Sequence, residues 1–209
     1  MMKTFYKNAA ICLVLFLFIS GGHLLANESW KEVDSQSGIT IYERWVKVND
    51  DLTVRERKGE MTLNCTMSSV ISILSDPSRA PLWMENVTDA YLVSRKSNSE
   101  WAYYTYFSMP WPLDNRDMVS LATLNYTDPT SATIEMTSLD NALPEKDHVV
   151  RLMDFKATWK ITDLGNGSVF VSLSAISYRS PEFPRFIMDP VVRGVFMRNL
   201  IKFKVLVCI

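Results

Sequence analysis

Only one histidine, His148, lies beyond the first 26 residues of the chain, so a Ser-His-Asp relay or a His-ligated metal centre would have to be built on it. It stands in Pro144-Glu145-Lys146-Asp147-His148, a polar stretch before an apolar run, where a solvated loop histidine is expected. The sequence has no Cys-x-x-Cys, no His-Glu-x-x-His, no Walker phosphate loop and no Gly-x-Gly-x-x-Gly that opens a helix. Gly165-x-Gly167 reads as a hairpin turn, and no two acids stand at a spacing that separates a glycosidase pair from surface carboxylates. No catalytic residue, metal or other cofactor is therefore expected. Cys65 and Cys208 show no spacing that demands a bridge and are expected as free thiols.

Aromatic and thioether side chains are the more informative chemistry. All six Trp lie beyond residue 26, with nine of the 11 Met. Such groups line adaptable apolar cavities as well as solid cores. In the alternating segment from Trp101 to Met109, one face carries Trp101, Tyr103, Thr105, Phe107 and Met109 and the other Ala102, Tyr104, Tyr106 and Ser108. Set beneath an apolar helix, that first face either packs solid or encloses a pocket, and composition leaves both open.

The elements that must position these groups follow from the patterning. Residues 1 to 26 have the order of a secretory signal peptide: Lys3 and Lys7, an apolar run from Ala9 to Ile19, then a stretch ending at Leu24-Leu25-Ala26, with cleavage expected after Ala26. An apolar run of that length spans only about 16 Å as a helix, against ~30 Å of hydrocarbon, which makes an uncleaved anchor the weaker reading. The protein is thus expected to be exported, to the periplasm, with one domain over residues 27–209. Losing the leader removes two lysines from 22 basic and 23 acidic residues and leaves a net charge of -3. That balance argues against nucleic acid as a partner. Oligomeric state is not legible.

Alternation predicts strands at 39–46, 52–63, 90–95, 100–109, 117–126, 132–138, 149–162 and 169–178, with a short helix, a Pro break and a second helical turn between Thr66 and Met84. The connections are too short for crossover helices, so a meander of antiparallel strands is expected. After Ser180 the spacing of Val192, Val195, Phe196, Asn199, Leu200, Phe203 and Leu206 predicts a helix of about 18 residues, opened by Asp189-Pro190. Its other face holds Arg193, Arg198, Lys202 and Lys204, expected to be solvated and able to touch anionic head groups in a transient membrane contact. The fold class is α+β, one curved antiparallel sheet wrapped around the C-terminal helix.

Two prolines bracket a tryptophan in Met109-Pro110-Trp111-Pro112-Leu113-Asp114-Asn115-Arg116-Asp117-Met118-Val119. This resembles the Pro-Trp-Pro-x-x-x-Arg-Asp corner of the START family, the steroidogenic-acute-regulatory-related lipid transfer domains, and is most similar to their bacterial exported members. Pro81-Leu82-Trp83-Met84-Glu85-Asn86-Val87, Phe155-Lys156-Ala157-Thr158-Trp159 and Pro184-Arg185-Phe186-Ile187 match in the same order. Together they cover roughly residues 30 to 205. The resemblance implies a helix-grip fold that encloses a hydrophobic cavity for one lipid or sterol-like molecule, with the last helix as lid. Its candidate lining residues are Trp83, Trp101, Tyr103, Phe107 and Arg116 from the body, and Met188, Val192, Val195, Phe196 and Asn199 from the lid. Arg116 and Asp117 form an internal ion pair on one reading and meet a polar head group on the other. The expected function is non-catalytic binding and transport of a hydrophobic ligand, released when the last helix or a loop opens. Two alternatives stand beside it: a polyketide cyclase or aromatase of the wider superfamily, acting through Tyr103, Tyr104 or Arg116, and an interaction module whose cavity is filled by its own side chains.

Overall fold

The computed structural model describes residues 29–181 and 183–208. The leader expected at residues 1 to 26 lies outside them. Ten strands form one sheet: β1 (Lys31–Gln36), β2 (Ile39–Lys47), β3 (Thr53–Leu63), β4 (Val87–Ser97), β5 (Glu100–Phe107), β6 (Asn115–Asp128), β7 (Ser131–Ser138), β8 (Val149–Arg151), β9 (Phe155–Asp163) and β10 (Val169–Ser177). Between β3 and β4 come α1 (Met67–Leu74), a single tight turn at Pro77–Arg79 and α2 (Ala80–Trp83); the long helix α3 (Arg185–Val207) closes the chain.

The strand order is β1-β2-β3-β10-β9-β7-β6-β5-β4, so the early hairpins and the later meander are joined by β3 and β10, with Gly59 opposite Leu173. Neighbours on this path are antiparallel, and β8 pairs β6 in parallel beside it. The expected meander therefore holds from β4 to β7 and on through β9 and β10, with β8 set beside it. The single strand expected over 149–162 is two, because Asp154 adopts a positive φ of 57° and turns the chain between them. The unforeseen β1 reads as polar because, as an edge strand, it has almost no buried face.

Alternation places Ile39, Ile41, Met61, Leu63, Trp101, Ala122, Ile134, Trp159, Ile161, Val169 and Val171 in one buried layer, covered by α1 and α3. α1 starts where the Thr66 side chain accepts a hydrogen bond from the Ser69 backbone N–H, leaving Val70, Ile73 and Leu74 buried. The helix α3 lies along β2 and β3. A Cβ at Gly59 would run into Leu200 and come within 3.2 Å of Phe196, so the bare backbone there is what lets the helix seat.

α3 is 23 residues long and begins at Arg185, not at the expected Pro190. Pro190 falls inside it, where it supplies no N–H to the turn before. Asp189, expected as the cap, turns its carboxylate to the sheet instead, 2.9 Å from an Arg57 guanidinium nitrogen.

Candidate functional site

The concave face of β4 to β6 is set by register: Trp101 lies opposite Ala122, Tyr103 opposite Ser120, Thr105 opposite Met118 and Phe107 opposite Arg116. All eight therefore share the face that looks toward the helices. Trp101 is 1% exposed and its indole N–H has no hydrogen-bond partner. Tyr103 is half-buried, its hydroxyl donates to the Met136 thioether at 3.3 Å, and burial pushes its pKa up to about 12. Phe107 packs on a small satellite cluster of Ala80, Val87 and Ala90. Trp83 meets Trp159 and Phe203 edge-on, with ring centroids 5.9 and 5.2 Å apart.

Arg116 is half-buried on the concave face, whereas Asp117, the next residue along the strand, faces outward. Of the two readings of this dipeptide, the ion pair between its own members is not the one formed, since Asp117 pairs with Arg151. Asp117 is 1% exposed and takes Nε and a terminal nitrogen of Arg151 at 2.6 and 3.1 Å, with the Tyr104 hydroxyl at 3.2 Å. Arg151 also donates to the Leu143 and Pro144 carbonyls, so the pair pins the loop before β8. A buried carboxylate with this many donors is a structural lock.

On α3, Met197, Leu200, Phe203 and Val207 are buried. The residues expected to line a cavity, Met188, Val192, Val195, Phe196 and Asn199, form the neighbouring stripe and are half-buried. Asn199 accepts a hydrogen bond from the Glu85 backbone N–H at 2.8 Å and ties the helix to the segment after α2. Of the cationic stripe, Arg193 pairs with Glu43, Arg198 with Glu85, and Lys204 donates to the Ser37 carbonyl. Arg193 and Lys204 are partly buried by these contacts, whereas Arg198, in its pair with Glu85, is exposed at the surface of the helix.

Sequence reasoning missed the charge cluster under the first half of α3. Glu43 is 2% exposed and sits among Arg55, Arg57 and Arg193 at 2.5, 3.1 and 3.0 Å; Asp189 bridges Arg55 and Arg57. Burial alone would raise the Glu43 carboxyl, but the Arg193 guanidinium, helped by Arg57 and Arg55, holds it below the usual carboxylate range. The missed signal was a charged residue at an inward position, continuing the alternation of Ile39 and Ile41.

Two open clefts, of about 380 and 360 Å³, lie against Asn141, Leu143 and Arg151 and on the outer sheet face between Arg44, Lys156 and Tyr178. Neither is the interior space that the resemblance implies. The concave side gives a different indication: Trp83, Tyr103, Phe155, Ala175 and Phe196 pack against the core yet keep accessible surface. His148 is exposed in a loop, no cluster of His, Cys, Asp or Glu fit for a metal occurs among the described residues, and Cys65 and Cys208 are free. The Cys65 thiol is pushed up to about 11 by burial, with Cys208 beside it.

One end of the sheet gathers the loops at 48–52, 108–114 and 139–148 and the segment at 178–181, and the Arg185 guanidinium donates to the Thr53 carbonyl there, which fixes the start of α3 at the same end. Trp111 is 93% exposed and Phe186 80%, with Phe183, Ile187 and Val191 also exposed around that start.

The family model of the START domain matches residues 23–197. Among solved structures, a STAR-related lipid transfer protein from Xanthomonas axonopodis superposes with a TM-score of 0.77 at 23% identity, covering 86% of this chain and 99% of that one. Human StAR-related lipid transfer protein 5 gives 0.70 at 18%, covering 85% and 86%. The Zhui aromatase/cyclase from Streptomyces gives 0.53 at 12%, covering 74% and 92%. A curated relative, an uncharacterized protein of Pseudomonas aeruginosa, is 20% identical over 180 residues, 86% of this chain and 87% of its own.

Proposed function

Because the chain belongs to the START domain family, we propose that it holds one lipid or sterol-like molecule between the concave sheet face and α3 and carries it without covalent chemistry. The observation that carries this reading is the set of aromatic side chains, Trp83, Tyr103, Phe155 and Phe196, that pack against the core yet remain only partly buried. Apolar surface left wet there is stabilised by roughly 25 cal/mol per Å² when a hydrophobic ligand covers it, and no catalytic group is needed. The leader-like residues 1 to 26 support an exported, periplasmic carrier. Access is through the end of the sheet where α3 starts, by outward movement of the first half of the helix. The exposed Trp111 and Phe186 at that end are suited to brief contact with a bilayer, from which an insoluble ligand is taken up.

Native mass spectrometry of the purified protein, followed by organic extraction, tests the reading. A stoichiometric lipid supports it and names the ligand class. A protein that is empty and takes up neither fluorescent fatty acids nor sterols overturns it in favour of an interaction module with a filled interior.

The cyclase reading has one observation of its own, the fold shared with an aromatase/cyclase, together with a tyrosine at the centre of the concave face. With a pKa of about 12 that phenol stays protonated near neutrality, so it would act as an acid or hydrogen-bond donor and not as a base. Turnover of a polyketide-like chain that is lost in Tyr103→Phe would establish this reading.

A further inference from the structure

Three side chains on the concave face are buried with a polar atom that finds no partner. Thr105 and Ser120 are each 0% exposed and their hydroxyls make no hydrogen bond; the Trp101 indole N–H, in a residue 1% exposed, makes none either. Tyr103 stands in the middle of this group, directly opposite Ser120 and between Trp101 and Thr105 along β5. Its hydroxyl donates to the Met136 thioether, a weak acceptor, and Ser120 lies close enough to ease the rise in its pKa. Buried hydroxyls are normally paired, because leaving one unpaired forfeits its hydration without return. Three such groups around one weakly satisfied phenol, on adjacent positions of one face, are not a scattered defect. They have the form of a polar patch whose partner comes from outside the chain.

We propose that Tyr103, Thr105, Ser120 and the Trp101 indole form a subsite for a neutral oxygen of the bound molecule, a hydroxyl or a carbonyl, and not for a charged head group. This rests on the reading that the concave side holds a ligand. The three hydroxyls each donate and accept, and the indole donates, which suits an oxygen that gives or takes one or two hydrogen bonds. The nearby cations are committed elsewhere: Arg151 to Asp117 on the far face, and Arg95 to the Ser75 carbonyl. Arg116 lies on the concave face but four residues along β6 from Ser120, toward the open end. A phosphate or carboxylate at Ser120 would lose its water among apolar neighbours such as Met118 and Ala122, with hydroxyls alone to replace it. The ligand therefore sits with its neutral polar end against the middle of β5 and β6.

The test uses the full chain and two probe sets: a pyrene-labelled alkyl chain ending in a hydroxyl, a methyl or a carboxylate, and a fluorescent sterol with and without its hydroxyl. The wild type is expected to prefer the hydroxyl form over the oxygen-free form by about tenfold or more. Ser120→Ala, Thr105→Val and Tyr103→Phe are each expected to bring that ratio down toward one. A ratio unchanged in all three variants overturns the subsite while the carrier reading stands. Preference for the carboxylate overturns the neutral-oxygen assignment. Uptake of none of the probes overturns the carrier reading as well. Thermal unfolding of the ligand-free variants supplies an independent check: removing an unpartnered hydroxyl is expected to leave Tm unchanged or raise it, whereas a fall of several degrees in Ser120→Ala would make the hydroxyl structural and overturn the proposal.

Discussion

The two halves of α3 are held to the same sheet by opposite kinds of force. The first half is tied by charge: Asp189 to Arg55 and Arg57, Arg193 to Glu43, and Arg185 to a backbone carbonyl, while Phe186, Ile187 and Val191 remain exposed. The second half is tied by burial: Met197, Leu200, Phe203 and Val207 sit in the main core, with Phe203 against Trp83 and Trp159. When polar contacts part, water replaces much of what they lose, whereas apolar contacts are lost outright on exposure. A helix built this way is expected to open as a lever from its first half and to stay anchored by its second. Pro190, which lacks the N–H that would brace the turn before it, lies in the charge-tied half.

The comparison breaks most directly at Phe203. Phe203→Ala empties a fully buried site and is expected to cost about 3–5 kcal/mol in urea unfolding; a cost below about 1 kcal/mol would mean that the second half is no anchor. Next comes Gly59→Ala, whose methyl pushes against Leu200 and Phe196 where the helix seats. It is expected to cost about 1–3 kcal/mol and to speed hydrogen exchange along the whole of α3. Unchanged exchange would show that the helix has slack over β3. Arg193→Met sharpens the contrast, since Arg55 and Arg57 still satisfy Glu43. About 1 kcal/mol is expected, with exchange faster over 185–195 and still slow over 197–207; equal acceleration of both stretches would dissolve the distinction.

Acid is the mildest probe. Because the folded-state pKa of Glu43 is depressed, its contribution is fully present above the unfolded value, about 4.3, and is lost as pH falls through the lower folded value. Below about pH 4 the first half of α3 is expected to open before the core unfolds. Tryptophan emission and amide protection followed together should separate the two events, and a single coincident transition would argue against independent halves.

Much of this architecture was legible because burial leaves an alternating trace: the faces of β5 were readable from Trp101 to Phe107 alone. Positions held by a single backbone angle were not, so the break at Asp154 stayed hidden. The helix pattern did not separate its two inward stripes, because Val192, Val195 and Asn199 repeat at the same spacing as Leu200, Phe203 and Val207. Only Gly59, a residue of another element, selects the stripe that seats. The polar subsite was half visible. Tyr103 and Thr105 share a face by alternation, but Ser120 joins them only through a register that the turn between β5 and β6 decides.

The seam of β3 with β10 joins residues 57–63 to 169–175. Contacts that span so much of the chain close late and slowly, after the local hairpins have formed. A growing chain therefore holds β2 and β3 as a hairpin with an open edge, and β4 to β7 as a separate meander, until β10 arrives to stitch them. The helix that rests on β3 arrives later still. A partly synthesised chain has the face of β4 to β6 but neither β3 nor α3 to close over it, so any cargo must be loaded onto the finished protein.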